Sequence, residues 1–333
     1  MSKLNLALIG AGRIGRVHAA NAALRDDVRL SVISDAVEAP AAELAARYNA
    51  RATTDAHAAI SSPDVDAVLV CSSTDTHAEM IVAAARAGKP VFCEKPVDMS
   101  ADGIRACLAE VSRHQGLLMV GFNRRFDPNF REVRRRIAAG AIGNVELVSI
   151  ISKDPSPPPA SYIARSGGLF RDMMIHDFDM ARYLLDEEPV VVHALGSSLV
   201  DPAIGEAGDV DTAAVLLRTA SGKIATITNS RRATYGYDQR LEVHGAGGLL
   251  TAGNQHVTTV NQAGAAGFTA DVAQPFFLER YNDAYRAELA AFIGCITSGT
   301  APSPTGEDGL RAQLLADAAT LSAQTGQPVN LEN

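Results

Sequence analysis

The chain has 333 residues, 47% of them hydrophobic, and its 38 acidic against 30 basic side chains leave a net charge of −8. That length exceeds what one core ordinarily serves, so two domains are expected, and the acidic balance argues against a nucleic-acid or anionic-membrane surface. No run of ~20 apolar residues is present to span a bilayer, and residues 1 to 10 lead straight into a strand without a secretory pattern, so a soluble, cytoplasmic protein is expected.

Leu4 to Ile9 reads as a short buried strand, and Arg13 to Leu24 as an Ala-rich helix that stops before Arg25-Asp26-Asp27. Between them lies Gly10-Ala11-Gly12-Arg13-Ile14-Gly15. A GxGxxG string is a weak signal alone. After a strand and at the opening of a helix, its glycines permit a tight turn and the close approach of a pyrophosphate to the helix N-terminus. Val28 to Ser34 closes the βαβ unit, and Asp35 stands at its end, twenty residues after Gly15, where a carboxylate binds the adenosine ribose hydroxyls. A 2′-phosphate would meet that carboxylate as a like charge, and Ala36-Val37 offers no arginine to receive it. NAD is therefore expected over NADP.

The alternation continues through a helix from about Ala39 to Tyr48, a strand Val65 to Cys71, a helix Thr76 to Ala87 and a strand Val91 to Cys93. A helix Ser100 to His114 and a strand Leu117 to Gly121 complete it. This pattern implies a doubly wound parallel sheet with its ligand at the carboxyl ends of the strands, so residues 1–121 are read as a Rossmann domain. Ser72, Ser73 and Thr74, with His77 close behind, lie just past one strand and are candidates to line the dinucleotide cleft. Capping of the next helix by Asp75 or a neighbour explains any one of them equally well. Glu94-Lys95-Pro96 follows the next strand, so Lys95 shares an edge with the glycine turn, where it can hydrogen-bond a substrate hydroxyl and stabilise a developing alkoxide.

The pattern changes near residue 122. Asp127-Pro128 pairs an N-cap with proline at the first helical position, opening a helix to about Ala139. Its Arg131, Arg134, Arg135 and Arg136 are expected on a solvated face. Val145 to Ser152 is a strand, and Asp154 to Ser161, with Pro155, Pro157, Pro158 and Pro159, is an extended loop. A helix running to about Leu185 then carries Asp172 and His176. Four residues apart on one α-helix, a carboxylate and an imidazole converge on one spot. That is a general-base arrangement, since histidine titrates near pH ~6.5 and a carboxylate can orient the ring.

Val190 to Leu199, Thr212 to Thr219, Lys223 to Ser230, Arg240 to His244 and Leu249 to Ala252 are strands joined mostly by short turns, which implies an antiparallel sheet. Helices around Asn282 to Cys295 and Asp308 to Gln324 follow. The fold class is thus α/β: a Rossmann domain over 1–121, then over 122–333 an α+β domain with a largely antiparallel open sheet for substrate binding and oligomerisation. The C-terminal helices are free to pack back on the first domain. Cys71, Cys93, Cys107 and Cys295 match no zinc or redox spacing, and the histidines form no His-Glu-x-x-His, so reduced thiols and no metal are expected.

Three of these features, the glycine turn, Glu94-Lys95-Pro96 and the Gly167-Gly168 segment with Asp172 and His176, resemble the glucose-fructose oxidoreductase and inositol dehydrogenase family. The resemblance spans essentially the whole chain. The strings from Gly121 to Pro128, Asp172 to Arg182, Ser230 to Arg240 and Phe277 to Tyr281 resemble its inositol 2-dehydrogenase branch. The resemblance implies NAD-dependent oxidation of myo-inositol at C2 to the 2-keto sugar, usually by a homotetramer. It places the catalytic lysine on Lys95, the aspartate on Asp172 and the histidine on His176, with further substrate contacts on Arg124, Asp154 and Tyr235. Cofactor contacts fall on Gly10, Gly12, Arg13, Ile14, Gly15, Asp35, Ser72, Ser73, Thr74, His77, Glu94 and Lys95. Scyllo-inositol, glucose or another cyclic polyol stays open as the substrate. So does a different class, an NAD-binding sensor without turnover; such sensors tend to lose the lysine or histidine, and Lys95, Asp172 and His176 are all present.

Overall fold

The computed structural model describes residues 3–159, 162–163 and 166–331. It forms two units. One runs to Phe126 and takes in Asp283–Gln313; the other comprises Asp127–Asn282 and the chain from Leu314.

The first unit is built on β1 (Leu4–Ile9), β2 (Val28–Ser34), β3 (Arg51–Thr53), β4 (Ala67–Val70), β5 (Val91–Glu94) and β6 (Leu118–Gly121). Their order is β3-β2-β1-β4-β5-β6, with every neighbouring pair parallel. β4, β5 and β6 are buried along their whole length, as strands covered on both faces must be, which is why they read as continuous apolar runs. The crossovers are the helices Arg13–Ala23, Glu38–Tyr48, Ala56–Ser61, His77–Arg86 and Ala101–Arg113. Asp55 and Ser100 cap two of them through their side chains. The strand order reverses between β1 and β4, so the crevice at their carboxyl ends is where this topology leaves room for a ligand. From Asp283 onward the helix Asn282–Ser298 belongs to this unit, and its Leu289, Phe292 and Ile293 join the core.

The second unit holds β7 (Val145–Lys153), β8 (Pro189–Ser197), β9 (Thr212–Thr219), β10 (Ile224–Ser230), β11 (Asp238–Gly245) and β12 (Gly248–Ala252). A separate hairpin, β13 (Asn261–Gly264) with β14 (Gly267–Ala270), follows, and β15 (Val329–Asn330) closes the edge of the large sheet. The order is β12-β11-β7-β10-β9-β8-β15. The sheet is mixed: β7 and β10 run parallel, and the other neighbours are antiparallel. One face is buried and the other open, as β9 shows with Ala213, Val215 and Leu217 buried and Ala214, Leu216 and Arg218 exposed. Asp127 caps the helix Pro128–Ala138 by accepting from the amides of Asn129 and Phe130.

One expectation fails. Asp172 and His176 do not share a helix: Gly168–Asp172 ends, and Ile175–Leu185 begins after a break at Met173-Met174. The amides of both methionines bond the Leu169 carbonyl, Met174 over five residues, which widens the turn and re-aims the chain. The second helix is fixed to the sheet by Asp177, which is fully buried and accepts from Ser152 Oγ at 2.6 Å and Asn229 Nδ2 at 2.9 Å. Among the described residues, no helix is long and apolar enough to cross a membrane.

Candidate active site

The glycine turn sits at the end of β1. Gly10 has φ +101°, a conformation costly for any other residue, and a Cβ there would lie 2.5 Å from the Cys71 carbonyl carbon just past β4. A Cβ on Gly15 would lie 2.0 Å from the Gly10 oxygen, whereas one on Gly12 would meet nothing within 4 Å. Two glycines thus close the turn, and the third leaves open space at the first residues of the helix. Asp35 reaches back from the end of β2: its carboxylate accepts from the Ala11 amide at 2.8 Å and the Val37 amide at 2.9 Å. The ribose-binding candidate is therefore held on the turn itself.

Ser72 and Thr76 share a hydrogen bond of 2.6 Å, and Thr76 Oγ1 donates to the Ser73 carbonyl. No side chain caps the helix His77–Arg86. His77 is buried with its ring between the Pro96 carbonyl at 2.7 Å and the Ser72 carbonyl at 3.0 Å; it ties the loop after β4 to the turn after β5. Lys95 occupies that turn, and Glu94 before it is contacted by His18 Nε2 at 2.7 Å. Arg124 is buried in the turn Asn123–Phe126 past β6. The thiols of Cys71 and Cys93 are pushed well up by burial, so both are protonated and inert.

In the second unit the candidates gather at one end of the sheet. Asp154 follows β7 and its amide bonds the Ser230 carbonyl at the end of β10. Asp172 accepts from Tyr162 Oη at 3.0 Å, and its other oxygen lies 3.6 Å from Arg231 Nη2. Arg231 is 2% exposed, so its charge is felt at Asp172 with little screening by water. Tyr235 donates to Asp238 at 2.7 Å, and Lys153 Nζ lies 3.5 Å from the same hydroxyl. Asp238 also accepts from Arg240 and Asn254. Burial raises its pKa, but these bonds outweigh burial and hold the carboxyl below the usual carboxylate range. Burial and that same Asp238 charge raise the Tyr235 phenol, so Tyr235 stays a neutral donor.

Residues 4–122 match the oxidoreductase family's NAD-binding Rossmann fold, and residues 130–251 match the GFO/IDH/MocA C-terminal domain. An inositol 2-dehydrogenase of Rhizobium meliloti is 52% identical over 324 residues, covering 97% of this chain and 98% of that one. The chain belongs to the GFO/IDH/MocA oxidoreductase family. The solved structure of a myo-inositol dehydrogenase from Corynebacterium glutamicum superposes with a TM-score of 0.95 at 45% identity, over 99% of each chain. A scyllo-inositol dehydrogenase from Lactobacillus casei, solved with NAD(H) and scyllo-inositol, superposes with a TM-score of 0.93 at 29% identity, over 99% of each chain.

For a GFO/IDH/MocA oxidoreductase the glycine turn and Asp35 fit NAD. A Cβ on Gly12 would meet nothing within 4 Å, which leaves the helix start open to an anion, and Asp35 at the end of β2 is the candidate for the ribose hydroxyls. Four further residues carry geometry that sequence reasoning did not assign: Arg231 and Tyr162 beside Asp172, Asp177 on the buried face of the helix Ile175–Leu185, and His18 beside Glu94. For His18 a signal existed, since Gly15, His18, Ala19 and Ala22 form the buried stripe of its helix, and a histidine on an apolar stripe needs a partner. Arg231 lay inside a recognised string without a role, because nothing local distinguishes a buried arginine from the exposed Arg232 next to it.

Proposed function

We propose that the protein oxidises myo-inositol at C2 to the 2-keto sugar with NAD as the acceptor. The full-length likeness to an enzyme named for inositol 2-oxidation carries this reading, and the presence of Lys95, Asp172 and His176 supports turnover over a sensor role. Bound NAD supplies the hydride acceptor; Gly10, Gly12, Gly15 and Asp35 hold it. His176 takes the proton of the C2 hydroxyl, Lys95 stabilises the oxygen as its charge develops, and Asp172, held by Tyr162 and Arg231, is the third catalytic group. Arg124, Asp154 and Tyr235 contact the remaining hydroxyls. With its one proton given to Asp238, Tyr235 presents a neutral hydroxyl oxygen there as an acceptor. Incubating the enzyme with myo-inositol and NAD and identifying the product by NMR tests the reading: a ketone at C2 supports it, and oxidation at another carbon or none overturns it.

The working assembly in this reading is a homotetramer in the cytoplasm. Support comes from the open face of the second sheet, where Leu147, Leu195, Leu216, Ile224 and Leu249 are exposed on neighbouring strands, and an apolar sheet face of this kind pairs between subunits. The four cysteines are free and buried, in keeping with a reducing compartment. Light scattering on the purified protein gives four chain masses if the reading holds.

A further inference from the structure

His18, Glu94 and Glu288 meet inside the first unit. Their exposures are 0%, 8% and 0%, and one polar atom from each lies within 4.8 Å of the others. They arrive on three elements: the helix behind the glycine turn, the end of β5, and the helix Asn282–Ser298. His18 Nε2 stands 2.7 Å from Glu94 Oε1 and 3.9 Å from Glu288 Oε1. Neither carboxyl oxygen of Glu288 has a hydrogen-bond partner, and nor does His18 Nδ1. Phe92 and Tyr285 stand edge-on to the imidazole, at 5.0 and 5.9 Å between ring centres. Burying three titratable groups among aromatic walls destabilises a core unless they serve one another.

We propose that His18 and Glu288 are positioning residues for Lys95: His18 bonds Glu94, Glu288 closes the buried cluster behind that pair, and together they fix the turn from which Lys95 projects. The proposal rests on the reading that Lys95 acts on the substrate. A contact of 2.7 Å between an imidazole nitrogen and a carboxyl oxygen requires a proton between them, so His18 Nε2 and Glu94 share a hydrogen bond. Two donors on one zinc stand farther apart, about 3.3 Å for tetrahedral bonds of ~2.0–2.1 Å. The contact is a hydrogen bond and not one side of a metal site.

Glu288 faces Glu94, His18 and, from the end of β4, Cys71; Tyr285 is the titratable neighbour on its own helix. Burial, reinforced by the Glu94 charge, pushes the Glu288 carboxyl well above the usual range. It keeps its proton where an exposed glutamate has lost one, so a neutral acid faces Glu94 where a second carboxylate would repel it. Glu94 is also confined from β6, since a Cβ on Gly121 would lie 3.1 Å from its Oε2. Because Glu94 is bonded to Lys95, fixing that carboxylate fixes the start of the lysine's turn.

The test compares wild-type enzyme with Glu288→Gln, Glu288→Leu and Lys95→Met. Glu288→Leu is expected to lose ~10-fold or more in kcat with NADH affinity held, and Glu288→Gln, which keeps the shape and a donor, to recover most of it. A carboxylic-acid C=O band in the wild-type infrared spectrum should vanish in Glu288→Gln. The folded state keeps a proton that the unfolded chain releases, so wild-type stability should fall relative to Glu288→Gln as pH rises above the ordinary glutamate range. Absence of the acid band, wild-type kcat in Glu288→Leu, or stoichiometric zinc in the purified protein overturns the proposal. If Lys95→Met turns over normally, the reading of Lys95 fails and the proposal with it. If Lys95→Met is inactive while Glu288→Leu is unchanged, the proposal fails alone. Should Glu288→Leu not fold, Glu288→Met is read in its place, and wild-type kcat in that variant overturns the proposal.

Discussion

A single methyl group added at Gly12 or at Gly15 separates the two duties of the glycine turn. At Gly15 the new Cβ would stand 2.0 Å from the Gly10 carbonyl oxygen, far inside van der Waals contact. That oxygen is backbone, in a turn already held at φ +101° against the chain past β4, so it has nowhere to go. Gly15→Ala should cost about 2–3 kcal/mol or more in stability. At Gly12 no atom lies within 4 Å, and φ −70° with ψ −166° is open to alanine, so apo stability should change by no more than ~0.5 kcal/mol. The methyl instead occupies the approach of the pyrophosphate. Loss of ~10–100-fold in NADH affinity follows, or about 1.4–2.8 kcal/mol. Urea unfolding of the apo-protein reads the first quantity. Titration by NADH fluorescence reads the second, undisturbed by tryptophan, of which the chain has none. Wild-type NADH affinity in Gly12→Ala, or wild-type stability in Gly15→Ala, would refute the reasoning.

His176→Ala should lower kcat by ~10²–10⁴-fold while NADH affinity holds; unchanged turnover under saturating inositol would remove His176 from the role of base. Asp177→Ala takes away the acceptor of the buried Asn229 amide and leaves Ser152 Oγ only its longer bond to Gln239, and should cost ~1–3 kcal/mol in urea unfolding; a neutral result would mean that Asp177 does not fix the helix to the sheet. The folded-state pKa of Asp238 is depressed, so its contribution is present above the unfolded value of ~3.9 and is lost as pH falls through the folded one. Wild type should therefore exceed Asp238→Asn in stability at neutral pH, with the gap closing in acid; a gap independent of pH would contradict this. Asp35→Ser combined with Ala36→Arg should raise NADP use relative to NAD, and an unchanged ratio of kcat/KM values would argue against ribose selection by Asp35.

Much of the first unit was legible because parallel strands buried on both faces leave long apolar runs, and because glycine, Asp35 and Lys95 fall at strand ends. β3 and the helix Ala56–Ser61 were not: Arg51-Ala52-Thr53 is a three-residue edge strand with no pattern to read. The break at Met173-Met174 left no trace, since methionine is a good helix former and the break is set by tertiary burial of Met174, at 0% exposure. Proximity of Asp172 and His176 thus cannot be argued from helical spacing, and the surroundings of Asp172 are set instead by Tyr162 and Arg231. The hairpin β13–β14 is exposed at every position, so hydrophobic alternation could not announce it. Glu288 shows what a pattern can reveal when used: it sits on the buried stripe of Tyr285, Leu289 and Phe292, where a carboxylate needs either a partner or a proton.

The central claim is inositol oxidation coupled to NAD. The most direct measurement is NAD reduction, followed at the NADH absorbance band, with myo-inositol, scyllo-inositol, D-chiro-inositol and glucose side by side. The account predicts that myo-inositol gives the highest kcat/KM. Higher kcat/KM for one of the other three would move the substrate assignment, and no NADH formation from any of the inositols would contradict the account.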